Sequence, residues 1–142
     1  MLNITKQLKD YFWPKFSIMV RKEGTDENGV GFCFSCGKEI HWRNGDAGHW
    51  LAGRGNYILF HPYAVHLQCK PCNGGFMNSA PKNVQQRYDG HMVAQYGKKI
   101  TDEIRQKNRK SYPFTPEIVM HLILAAEQGM TEYTKVFFEV IK

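Results

Sequence analysis

Two short stretches decide the reading of this chain: GFCFSCGKEI at residues 31–40 and HLQCKPCNGG at residues 66–75. Each contains one Cys-x-x-Cys pair, Cys33/Cys36 and Cys69/Cys72, and no cysteine lies outside them. Two thiolates three residues apart can grip one ion as a knuckle, and two knuckles supply the four sulfurs that tetrahedral zinc prefers. Ser35, Gly37 and Pro71 are the small or turn-forming residues a tight knuckle needs. Disulfides are disfavoured if the compartment is reducing. A redox dithiol would use a single pair beside a βαβ pattern, which is absent. A structural zinc on Cys33, Cys36, Cys69 and Cys72 is therefore expected.

Working outward, the residues between the knuckles alternate Gly, Asn, His and aromatics without a helical period. Short strands fit best, around 47–51 and 57–60, with a helix starting near Cys72 or Asn73. Upstream, Leu2, Ile4, Leu8, Tyr11 and Phe12 are spaced as in a helix. Pro14 reads as the start of a second short helix reaching Glu23, since proline suits a first turn. Residues 24–31 read as a loop. Downstream, Val84, Tyr88, Met92 and Tyr96 recur at four, and 98–110 reads as a solvated basic helix. Two apolar stripes, Ile118 to Ala126 and Tyr133 to Ile141, read as a helical hairpin over 116–141 that packs on the body or on a second copy. The expected fold is α+β: a zinc-stapled ββα-metal (HNH-like) core with flanking helices and a C-terminal helical hairpin. Its segments are 1–31 (helical), 32–97 (zinc-binding core) and 98–142 (basic helix, then hairpin).

The chain has 142 residues, 42% of them hydrophobic, enough for one modest core. No apolar run approaches the roughly 18 residues of a membrane span, and the start MLNITKQLKDYF lacks a signal-peptide core. A cytosolic protein is expected. The net charge is +6. Residues 115–142 carry two basic and four acidic side chains, so the first 114 residues hold all the excess positive charge. A basic body suits a polyanion.

The segment between the knuckles also holds groups for chemistry: Asp46, His49, Arg54, His61 and His66, with Asn73 directly after the last cysteine. Hydrolysis of a phosphodiester with metal assistance needs a base near pH 7, which imidazole provides. It needs a hard cation on oxygen ligands and a cationic group against developing charge. His49 as base, Asp46 with Asn73 as ligands of Mg²⁺ or Mn²⁺, and Arg54 or Lys70 as cation could fill these places. The bland alternatives are a turn histidine at His49, a helix N-cap at Asn73 and a hydrogen-bond partner of the zinc site at His66. His41 and His61 read as structural or exposed, and His91 and His121 fall on helices outside the cluster.

Taken together, PKFSIMVRKEG (14–24), the first knuckle, DAGHWLAGRGN (46–56), LFHPYAVHLQCKPCNGGFMNS (59–79) and RYDGHMVAQYG (87–97) resemble the NinG (Rap) recombination proteins of lambdoid phages. The layout is also similar to the recombination endonuclease VII type of HNH enzyme. That resemblance implies cleavage of branched DNA, such as Holliday junctions and D-loops, in phage recombination within the host cytosol. It places His49 at the general base and Asn73 at the magnesium, with Asp46 and His66 as further catalytic candidates. Two positions depart from the HNH pattern: Gly48 stands where an acidic residue often precedes the histidine, and Ala64 where an asparagine usually orients it, a role that His61 or His66 could take over. Arg43, Arg54, Lys70, Lys82, Arg87, Lys98, Lys99 and Arg105 are the candidate DNA contacts. Phosphate contacts of this sort give affinity without reading sequence. Symmetric cuts would favour a homodimer joined through the hairpin. Two rivals remain: a non-catalytic zinc module that binds nucleic acid and recruits recombination proteins, and an HNH nuclease for linear duplex.

Overall fold

A computed structural model describes residues 2–52, 56–74 and 83–142. The chain opens with helix α1, Ile4–Lys22, whose Asn3 side chain caps the Lys6 amide at 3.0 Å. Pro14 lies inside this helix and does not divide it. Proline removes one helical hydrogen bond and crowds the carbonyl four residues back. Phe12, Phe16 and Val20, spaced at four on one buried face, hold the helix together across that defect.

Strands β1 (Val30–Phe32) and β2 (Glu39–His41) pair antiparallel, and the first knuckle forms the turn between them. A single 3-10 turn, Trp42–Asn44, leads into β3 (Gly45–His49), which pairs antiparallel with β4 (Val65–Cys69). The register sets Asp46 opposite Gln68 and His49 opposite Val65. β3 therefore begins two residues earlier than the sequence predicts. The stretch 57–60 is a run of turns, with Leu59 N–H donating to the Asn56 carbonyl and His61 N–H to the Ile58 carbonyl. Its apolar residues Tyr57, Ile58 and Phe60 are buried as a plug rather than as a strand. The strand that does pair, β4, carries His and Gln among its apolar residues, which hid it in the sequence.

Helix α2 (Lys70–Gly74) follows β4 without a break, then α3 (Val84–Tyr96) and α4 (Lys98–Lys107), which are separated by Gly97 at φ 88°. The hairpin is α5 (Pro116–Ala126) and α6 (Met130–Val140). Thr115 caps α5 through Oγ1 to the Ile118 amide, with Pro116 at its first position. The protein is α+β, as expected.

One apolar core runs through all three expected segments: Phe12 and Phe16 of α1, Phe60 and Val65, Tyr88 and Met92 of α3, Val119 and Leu122 of α5, and Tyr133 and Phe137 of α6. The stripe of the hairpin is thus used on α1 of its own chain, the first of its two possible uses. Burying side chains of this size is worth roughly 1.5–3 kcal/mol each, so this helical scaffold can support two sheets of only two strands. Among the described residues, no helix is long and apolar enough to cross a membrane.

Candidate metal centre and active-site cleft

The first knuckle is shaped by its backbone. Cys33 N–H donates to the Lys38 carbonyl, and Gly37 N–H donates back to the Cys33 carbonyl. Gly37 has φ 79°, a left-handed conformation that costs glycine little. Phe34 N–H then bonds the Leu67 carbonyl, which carries the knuckle to β4. Cys69 ends β4 and Cys72 lies in α2, so strand and helix present the second pair together.

The four sulfurs all lie within 4.8 Å of one another, and Cys36 Sγ is 3.8 Å from Cys69 Sγ. Tetrahedral zinc with bonds near 2.3 Å sets its sulfurs about 3.8 Å apart. All four are free thiols. The donor set and its spacing fit a zinc ion, or a similar thiophilic metal. Burial pushes the thiols of Cys69 and Cys72 up, and the neighbouring Cys33 sulfur adds to the effect. Burial opposes ionisation at Cys33 too, but the amides of Cys36, Cys69 and Ser35 outweigh it and draw Cys33 down to about 7. Four thiolates cannot share this space without a compensating cation; a bound dication deprotonates its thiol ligands outright.

Next to the sulfur cluster, α2 presents two polar side chains to β3. Lys70 Nζ lies 2.8 Å from Asp46 Oδ1, and Asn73 Nδ2 donates to Asp46 Oδ2 at 3.2 Å. Burial works to raise the Asp46 carboxyl, but the bonds and charge of Lys70, the Asn73 amide and the charge of Arg21 hold it below the usual carboxylate value. Asn73 lies inside α2 and is not its N-cap. Gly48 explains one departure from the HNH pattern. A Cβ there would meet Gln68 Oε1 at 1.7 Å and Asn73 Oδ1 at 2.9 Å. No side chain fits there, and the nearest carboxylate on the same strand is that of Asp46, two residues earlier.

His49 closes β3. Its Nε2 is 3.1 Å from the Leu59 carbonyl, and its ring stacks on Trp13 of α1 with centroids 5.0 Å apart and planes at 18°. A carbonyl only accepts, so Nε2 carries the proton and Nδ1 keeps its lone pair. Burial lowers the pKa of His49, against the opposing pull of the Leu59 carbonyl. His49 and Asn73 line one cleft of about 450 Å³, together with Gln68, Gln85 and Tyr88. Helix α3 braces this end of β3: Tyr88 Oη donates to the Gly48 carbonyl at 2.7 Å, and Gln85 Nε2 to the Trp50 carbonyl at 3.0 Å.

The remaining expected groups divide. His66 is set apart from the cleft. Its Nε2 bonds the Tyr63 carbonyl and approaches Tyr96 Oη, its ring stacks on Phe34 at 3.8 Å, and it lines a different hollow. Burial drives its pKa down to about 4, so it is a neutral packing residue. Among the described residues the His49 ring bonds to the Leu59 carbonyl and not to His61 or His66. His61 is fully buried among Tyr57, Tyr63, Phe137 and Phe138.

Of the basic residues, Lys98 pairs with Asp102, and Arg105 pairs with Asp89 while lying over the Trp50 ring. Arg43, Arg87 and Lys99 are exposed. Arg54 and Lys82 lie outside the described residues. The sequence reading passed over Trp13, whose helical spacing carries no sign of contact with His49. It also passed over Leu59, which acts through its backbone.

Fold and cluster together define a mixed α+β protein with a four-cysteine metal-type centre beside a polar cleft. The sequence model of the family described as Bacteriophage Lambda NinG protein matches residues 7–135, and the chain belongs to that family. No curated protein and no solved structure matches the chain.

Proposed function

We propose that the chain is a metal-dependent DNA endonuclease of the HNH, ββα-metal type that cuts branched recombination intermediates such as Holliday junctions and D-loops in the cytosol of a phage-infected cell. The observation that carries this reading is that His49, whose Nδ1 keeps its lone pair and has no hydrogen-bond partner among the described residues, shares one cleft with Asn73, which is tied to Asp46. A zinc-bound binder without chemistry has no need of that pairing. Membership of a phage lambda family supports the setting.

In the proposed reaction His49 Nδ1 takes a proton from water as the water oxygen bonds to phosphorus. The bond from phosphorus to the leaving sugar oxygen breaks, and that oxygen takes a proton from solvent. The Leu59 carbonyl keeps hold of Nε2–H throughout and favours the imidazolium that forms. Mg²⁺ or Mn²⁺ on the oxygens of Asp46 and Asn73 would supply charge for the phosphate and the leaving oxygen. Lys70 neutralises Asp46 in this structure and is near enough to turn to a phosphate instead. Two opposed cuts would call for two copies of the chain.

The test is incubation of the zinc-loaded protein with linear, forked and four-way-junction DNA, each with Mg²⁺, Mn²⁺ or EDTA. Cleavage confined to branched DNA with a divalent ion is expected, and His49→Ala should slow it by about 10²-fold or more. Equal cleavage of linear duplex would move the reading to a general HNH nuclease. Binding with no cut to any substrate would leave the non-catalytic module.

A further inference from the structure

A group of cations has no role in the cleavage chemistry above. Trp42, half-buried on the 3-10 turn, has three of them round its ring: Lys22 Nζ at 4.8 Å from the centroid, Arg43 Cζ at 5.1 Å and Arg21 Cζ at 5.3 Å. Arg21 is fixed there, since Nε donates to the Ser17 hydroxyl at 3.0 Å and Nη1 to the Trp42 carbonyl at 3.2 Å. Among the described residues, none of the three has a carboxylate within ion-pair distance. Like charges repel, and the negative face of an indole offsets this by only about 0.5–1 kcal/mol per exposed cation. Two acidic residues stand on the rim of the same hollow. Asp26 has its Oδ1 taken by the Asn28 and Val30 amides, and Glu27 is exposed.

The cluster is also close to the cleft. Trp42 is four residues before Asp46, and the charge of Arg21 helps hold the Asp46 carboxyl low. We propose that Arg21, Lys22 and Arg43, gathered on Trp42, form a clamp for the DNA backbone that grips phosphates flanking the one beside Asp46 and Asn73. This rests on the nucleic-acid reading of the chain, though not on cleavage. An indole that holds guanidinium and ammonium groups together prepares the charge arrangement a polyanion needs and reads no bases.

The test measures binding of labelled four-way junction, and of linear duplex of equal length, by zinc-loaded protein across a salt series without added divalent ion. Each neutralised phosphate contributes about 0.9 to the slope of log K against log salt. Lys22→Gln and Arg43→Gln should each lower that slope by about this amount and weaken binding on both DNAs. Trp42→Leu should weaken binding as well, with Trp42→Phe restoring most of it, and Glu27→Gln should tighten it. Lys22 and Arg43 are exposed, so melting temperature and zinc content should not change. Salt-sensitive binding by the wild type with unaltered slopes in Lys22→Gln and Arg43→Gln would overturn the clamp and leave the nucleic-acid reading standing. Wild-type protein with no salt-sensitive DNA binding would overturn both.

Discussion

Trp13 and His49 stack face to face, 5.0 Å between ring centroids, although 36 residues separate them in the chain. With the Leu59 carbonyl on Nε2, the indole leaves the imidazole one orientation. Aromatic pairs of this kind are worth about 0.5–1.5 kcal/mol beyond burial. Trp13→Ala should therefore cost about 1 kcal/mol for the stack on top of the lost burial of a half-buried side chain, roughly 1.5 kcal/mol or more, and cleavage should fall by about tenfold or more through loss of orientation. Trp13→Phe should recover most of both. Cleavage rates and urea melts of the two variants check this; full activity in Trp13→Ala would mean that the stack positions nothing.

The pH dependence of cleavage should follow His49. Burial lowers its pKa from the ordinary 6.5, so the basic form predominates above that value and is lost only further into acid. The acid limb of the rate should lie below pH 6.5, and His49→Ala should lose about 10²–10⁴-fold, well beyond what its loss of the Trp13 stack, about 1 kcal/mol of stability, would cause while the protein stays folded. An acid limb at or above pH 6.5, or a profile identical in wild type and His49→Ala, measured where the protein stays folded, would remove His49 as the base.

Zinc analysis should give one ion per chain, lost together with the fold on chelation. Metal binding at four cysteines carries about 10 kcal/mol or more of folding free energy. Cys69→Ser should thus lose the cooperative melt, and a stable, metal-free Cys69→Ser protein would discredit the centre.

His61 should make the fold sensitive to acid. It is fully buried, accepts the Tyr63 amide on Nδ1 and, among the described residues, leaves Nε2 without a partner. Burial, with the charges of Lys107 and His66, brings its pKa down to about 3 from 6.5. The unfolded chain takes up a proton below pH 6.5 and the folded chain does not, so stability is full above 6.5 and falls as pH drops. The slope is about 1.4 kcal/mol per unit, levelling near pH 3. His61→Phe should flatten that fall relative to wild type in parallel melts. Identical profiles would assign the acid loss to other groups.

The four-cysteine cluster was legible because sulfur spacing is a local property of sequence. Helices α3, α5 and α6 were legible because their apolar residues repeat at helical spacing, and α4 because its run of charged residues suits a solvated helix. Pro14 misled because the loss of one hydrogen bond is a local cost, whereas Phe12, Phe16 and Val20 are held by partners a hundred residues away. β4 escaped notice because His66 and Gln68 point to bonding partners, Tyr63 and Ser35, that the strand pattern does not reveal. In the cleft, Asp46 and Asn73 could be named from spacing. The contacts that orient His49 come from a backbone carbonyl and a helix face, and neither leaves a mark in residue type.

Helix α1 packs most extensively on α5, and its Phe12 meets Tyr133 of α6 with ring centroids 6.0 Å apart. Helix α1 meets Phe60 and His49 of the middle of the chain as well, but its packing is complete only once α5 and α6 have been made. Bringing elements so distant in the chain together is entropically costly and slow. A nascent chain of this protein would leave one side of Phe12 and Phe16 open to solvent or to a chaperone while the sulfur cluster could already close on a metal.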